Sequence, residues 1–165
     1  MAAALINAVT TKEFMKYQGD LIFTGATREA DWYIALFKGT TAPTDSLTAA
    51  TLWDTYEEVV KYDGDRPKWL AKPSETVAGV YGIAPPTNPK DPTPEGVETI
   101  TFTTLGANES VIINGGCLIS RATKGSKEGV LAAVWIYPSE FVKNASETFV
   151  PYATFALTNG MALVI

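Results

Sequence analysis

Val130-Leu131-Ala132-Ala133-Val134-Trp135-Ile136-Tyr137 is apolar on both faces of an extended chain. Successive side chains of a strand point to opposite sides. In that reading Val130, Ala132, Val134 and Ile136 share one face, and Leu131, Ala133, Trp135 and Tyr137 share the other. A strand with no polar face belongs at the centre of a sheet, or has an outer face that meets a partner.

Working backward, Val111-Ile112-Ile113 and Cys117-Leu118-Ile119 are strand-like runs separated by Asn114-Gly115-Gly116, which reads as a bulge or a tight turn. Residues 123–129 are polar, carry two glycines and read as a hairpin connection. Ile100 and Phe102 share one face, with Thr99, Thr101 and Thr103 on the other, as in a half-exposed strand. Working forward, the runs 149–157 and 161–165 flank Thr158-Asn159-Gly160. Asn-Gly between apolar runs is a strong hairpin signal, because both central residues of the favoured turn take positive φ. Pro151 pushes the first of these runs toward a sheet edge or a bulge.

The N-terminal half is less regular. Thr10-Thr11-Lys12-Glu13 has capping-box spacing and Gly19 supplies a stop, so a short helix is expected near residues 11–18. Leu21-Ile22-Phe23 and Trp32-Tyr33-Ile34-Ala35-Leu36-Phe37, closed by Gly25 and Gly39, read as buried strands. Residues 40–52 read as a loop, 57–62 as a strand or a helix end, and Asp63-Gly64-Asp65-Arg66-Pro67 as a turn. Residues 82–96 hold Pro85, Pro86, Pro89, Pro92 and Pro94 between two glycines, and read as one long extended loop, an arm lying on a neighbour.

The fold expected is mainly β: an antiparallel β-sandwich or jelly-roll-like domain over residues 1–165, with residues 1–20 as an arm and short helix. The 165 residues suffice for a core, and 46% hydrophobic with 19% charged residues indicates a globular chain. No apolar run approaches the roughly 20 residues of a membrane helix. The start of the chain has no secretory pattern. A net charge of −5 with scattered lysines disfavours nucleic acid as a partner. Cys117, the single cysteine, is expected to be buried and inert, in a chain that folds in a reducing cytoplasm.

The sequence contains no histidine, so any chemistry would have to rest on carboxylates. Asp54, Glu57 and Glu58 beside Trp53 and Tyr56 have the residue types of a glycosidase, but read more simply as a solvated acidic stretch. Asp63 and Asp65 supply part of a calcium loop, but read more simply as a turn. Trp53, Trp69, Tyr56 and Tyr62 read as core and interface packing or as a carbohydrate platform. No catalytic, metal or cofactor residue is assigned. The residues expected at a partner interface are the five prolines with Trp53, Trp69 and Trp135.

Asp31-Trp32-Tyr33-Ile34-Ala35-Leu36-Phe37, then Gly39-Thr40-Thr41-Ala42-Pro43-Thr44-Asp45, then Tyr62-Asp63-Gly64-Asp65-Arg66 and Ile100-Thr101-Phe102 form an ordered set. With Gly129-Val130-Leu131 and Pro151-Tyr152-Ala153-Thr154-Phe155-Ala156-Leu157, it resembles small structural proteins of tailed-bacteriophage virions. The "GYxR" strand of that group reads Tyr62-Asp63-Gly64-Asp65-Arg66 here. The resemblance implies a non-enzymatic virion protein. The first expectation is a decoration or cement protein that binds the major capsid protein on the outside of the head, as a homo-oligomer. A tail, baseplate or fibre module, including a receptor-binding one with exposed tryptophans, is the alternative.

Overall fold

The computed structural model describes residues 8–69 and 98–151, together with the backbone of strands at 72–77, 80–84, 87–88, 91–94, 154–157 and 162–164. In chain order the elements are β1 (Ala8–Thr10), α1 (Lys12–Phe23), β2 (Trp32–Lys38), α2 (Leu52–Thr55), β3 (Glu57–Glu58) and β4 (Lys68–Trp69). Then come β5 (Lys72–Val77), β6 (Val80–Ala84), β7 (Thr87–Asn88), β8 (Asp91–Pro94) and β9 (Ile100–Thr101). The chain continues with β10 (Ser110–Ile119), β11 (Leu131–Asn144), β12 (Thr148–Phe149), β13 (Thr154–Leu157) and β14 (Ala162–Val164). The protein is mainly β, its ladders are antiparallel, and two helices occur among the described residues.

The main sheet runs β1-β11-β10-β2-β3, with β4 also paired to β2. The run at 130–137 therefore lies in an interior strand, flanked by β1 and β10. Both faces of the sheet are covered. On one face Ile34, Leu36, Ile113, Leu118 and Trp135 pack under Val59, Tyr62, Trp69, Ile100, Phe102 and Leu105. On the other, Ala35, Phe37, Cys117, Ile119, Leu131 and Val134 pack under Leu47, Ala49, Leu52 and Tyr56. Strand β2 is buried from Ile34 to Phe37 for this reason, and its unbroken apolar run is what two covered faces require.

Two bulges set the phase of this core. The ladder between β10 and β11 shifts register between Ile113 and Gly115, where Asn114 alone on β10 stands opposite residues 137–140 of β11. The Asn114 side-chain carbonyl accepts from the Gly39 backbone N–H at 2.9 Å. Of the two readings open for 114–116, the bulge is the one observed, with its extra residues on β11. A second shift, between Leu118 and Ile119, leaves Ala132 extra in β11. It turns Leu131 onto the face of Val134, and Ala132 joins Ala133 and Trp135. The uniform alternation expected across 130–137 is corrected by that one residue.

Gly115 and Gly116 leave no room for a side chain in the sheet. A methyl group on Gly115 would meet the Phe37 ring at 2.6 Å, and one on Gly116 would meet the Trp135 indole at 2.7 Å.

The helix differs from its expected form. Its cap is Thr11, not Thr10: the Thr11 hydroxyl accepts from the Phe14 N–H at 3.1 Å and donates to the Leu131 carbonyl. Glu13 does not close a capping box. Its Oε2 accepts from the Ala49 and Leu131 backbone N–H groups, at 2.9 and 2.7 Å, and so ties helix, loop and sheet together. The helix passes through Gly19 and takes in Leu21-Ile22-Phe23, which were expected as a strand. Gly25, at φ +68°, ends it.

The connection at 120–130 is the expected hairpin between β10 and β11. The terminal hairpin is also present, β13 pairing β14 with Phe155 opposite Leu163, while its Asn159-Gly160 turn lies outside the described residues. The stretch 82–96 is not one continuous loop. Residues up to Ala84 belong to β6, which pairs with β5 and β13, and β7 pairs with β8.

Candidate functional site

The most developed polar constellation joins residues 53–66 to the 120–130 connection. Arg66 is fully buried, so each of its donors needs an acceptor. Its Nε donates to Glu58 Oε1 at 2.7 Å and its Nη2 to Glu58 Oε2 at 2.9 Å, a two-pronged pairing. Nη1 donates to the Arg121 carbonyl at 3.0 Å, and Nη2 also reaches the Ser126 carbonyl at 3.4 Å. The Arg66 backbone N–H donates to the Ala122 carbonyl at 2.9 Å. Glu58 Oε2 accepts a further bond from the Gly125 N–H at 2.5 Å.

Aromatic groups close the cluster. Trp53 lies with its ring 5.3 Å from the guanidinium carbon and donates its indole N–H to the Ser126 carbonyl at 3.0 Å. Lys124 places its ammonium 3.6 Å from the Tyr62 ring centre and donates to the Tyr62 and Val60 carbonyls at 2.6 and 3.1 Å. Burial holds the Lys124 ammonium below its ordinary pKa and pushes the Tyr62 phenol well above its own. Arg66, from the quoted motif, is thus a clamp on two segments distant in sequence. Glu58 ends β3 and Arg66 lies in the irregular stretch before β4, so the two share no helix or strand and no periodic pattern announced the pair.

The three carboxylates with glycosidase residue types do not act together. Glu58 is buried on Arg66, Glu57 is exposed on Lys38 at 2.7 Å, and Asp54 is exposed on Lys127 at 2.7 Å. Asp63 accepts from the Thr103 hydroxyl, and its backbone N–H donates to the Thr101 carbonyl at 3.0 Å. Among the described residues no group of three or more potential ligands converges on a cation. Cys117 is buried, and that burial pushes its thiol up to about 12.

No protein-family model, curated protein or solved structure matches the chain.

The residues expected at a partner interface are dispersed. Trp135 is fully buried beside Gly116, and Trp69 is buried where β4 pairs with β2. Trp53 is half-buried in the clamp. The exposed tryptophans that a receptor-binding module called for are therefore not presented by Trp53 or Trp69. Pro92 and Pro94 fall on β8, while Pro85, Pro86 and Pro89 lie outside the described residues. What is exposed and apolar lies elsewhere: Ile22 and Phe23 at the end of α1, and Ile112 and Val142 on the β10–β11 ribbon. Sequence reasoning placed Ile22 and Phe23 in a buried strand. A helix ending beyond its last inward contact was the signal it missed.

Proposed function

We propose that this chain is a non-enzymatic architectural protein of a tailed-bacteriophage virion, a decoration protein that binds the outside of the head shell. The observation that carries the reading is the use made of Arg66, the charged residue of the quoted motif set. It is consumed in clamping two segments of a double-faced sheet, as a load-resisting scaffold requires. The acidic net charge of −5 suits an outer surface away from packaged DNA. The sandwich or jelly-roll arrangement belongs to the same proposal. It is supported by β14 lying alongside β1, which sets the β14-β13-β6-β5 sheet next to the main one. The shell partner is the major capsid protein, bound in many symmetry-related copies.

Quantitative mass spectrometry of density-purified particles tests this. The expected result is a fixed, high copy number of this chain per particle, in constant ratio to the major capsid protein. Its recovery only in the soluble fraction would overturn the proposal.

A further inference from the structure

Two exposed apolar features occur at opposite ends of the β11 framework. The first is the tip of α1, where Ile22 is 73% and Phe23 85% exposed. The tip is held in place: Thr24 donates its backbone N–H and its hydroxyl to the Asp20 carbonyl at 2.9 and 2.7 Å, and the Ala26 N–H reaches the same oxygen at 3.3 Å. A preorganised knob loses little entropy on binding. Beside it in the chain, Arg28 is exposed and has no ion-pair partner among the described residues.

The second feature is the far end of the β10–β11 ribbon. Ile112 and Val142 sit directly opposite each other, 39% and 49% exposed, past the point where β1 and β2 flank the ribbon. Two residues before Val142, Glu140 is exposed and likewise has no ion-pair partner among the described residues. The tip is apolar with a lone cation; on the ribbon Glu140 shares the face of Val142, while Lys143, also without an ion pair among the described residues, lies on the other face with its ammonium 5.8 Å from the Phe149 ring. The two features are not together in one copy. Helix α1 begins at Leu131 and Ala132 and its Phe14 and Tyr17 lie on Trp32, next to Tyr33, which stands in line with Ile119 and Leu131 at the opposite end of β11.

We infer that copies of this chain associate head to tail, the Ile22–Phe23 tip and Arg28 of one copy seating on the Ile112–Val142 pair and Glu140 of the next. The complementarity of charge favours a second copy as the occupant. A membrane is disfavoured by a chain of net charge −5 with a single uncompensated cation at the tip. Each contact is small beside the roughly 20–30 residues a side of a standard interface, so it gains strength through repetition. An interface between two different patches builds a ring if its rotation closes and a filament if it does not. The inference deepens the architectural reading, on which it rests only for where the assembly is used.

Sedimentation velocity over a concentration series tests it with wild type, Phe23→Asp, Val142→Asp and an equimolar mixture of the two variants. All the altered positions are exposed, so unchanged thermal midpoints verify folding. Wild type is expected to form concentration-dependent oligomers, and each variant alone to associate about tenfold or more weakly. The mixture is expected to stop at dimers, since one intact tip then meets one intact ribbon. Arg28→Glu and Glu140→Arg are each expected to weaken association, and their combination in one chain to restore it. A wild type that stays monomeric throughout, oligomers indifferent to Phe23→Asp, or a mixture that stays monomeric would overturn the inference. No particle enters this experiment, so oligomers in solution beside a chain absent from particles would remove the virion assignment alone.

Discussion

The Arg66 guanidinium grips Glu58 with two parallel hydrogen bonds, 2.7 and 2.9 Å long, and both side chains are buried. Desolvating both ions cancels much of their attraction, so the pair gives little net stability over an apolar filling. Removing one partner is different, because it strands a buried charge. Arg66→Met is expected to destabilise the fold by about 3–5 kcal/mol. The double variant Arg66→Met with Glu58→Leu is expected to recover much of that loss. Urea unfolding of the two single variants and the double variant measures the coupling. Additive losses would show that the clamp is not a unit.

The glycines divide by what surrounds them. Gly116→Ala forces a methyl group against the Trp135 ring and is expected to cost about 1–3 kcal/mol. Gly19 lies in the middle of α1 with open space where its Cβ would be. Gly19→Ala is therefore expected to stabilise by about 0.5–1 kcal/mol through helix propensity alone. Thermal midpoints that move in opposite directions verify the pair.

Thr11 both caps α1 and donates to the Leu131 carbonyl in a buried setting. Thr11→Val keeps its shape and removes both bonds, with an expected loss of about 1–3 kcal/mol. Thr10→Val, at the position where the sequence pattern placed the cap, is expected to cost less than half as much. Parallel denaturant curves of the two variants decide between the two cap positions.

Alkaline pH tests the core. Burial raises the Cys117 thiol from 9.0 to about 12 and the Tyr137 phenol from 10.0 to about 12. The folded state keeps these groups neutral while the unfolded chain ionises them. The stability they confer is fully present below 9.0 and is lost as pH rises from there toward about 12. Just above 9.0 the fall is led by Cys117, at about 1.4 kcal/mol per pH unit for one proton. Cys117→Ala is expected to flatten that first part of the curve, as followed by thermal midpoints across the range.

Strand-forming segments of the described core were legible because both faces of one sheet are covered. The run 32–37 and the run 130–137 are apolar without alternation, and only an interior position satisfies that. The break in the ladder opposite Asn114 was legible from the two glycines that follow it, but the bulge at Ala132 was not, since alanine marks no local conformation. Residues 21–23 misled because a three-residue apolar run has no readable period, and the end of a helix looks the same as a short strand. The clamp was hidden for another reason. Glu58, Arg66 and the carbonyls of Arg121 and Ser126 come together only through tertiary packing, and carbonyl acceptors carry no signature in a sequence. Beside the five prolines, the interface candidates were tryptophans, and large aromatics are also what a core recruits. Trp135 and Trp69 went inward, leaving Ile22, Phe23, Ile112 and Val142 outside.

The measurement that bears most directly on the architectural role is immunogold electron microscopy of intact particles, with an antibody raised against the purified chain. The account predicts gold spread over the head in many copies, on the outer surface. Gold confined to the tail, or no gold on the particle at all, would contradict it.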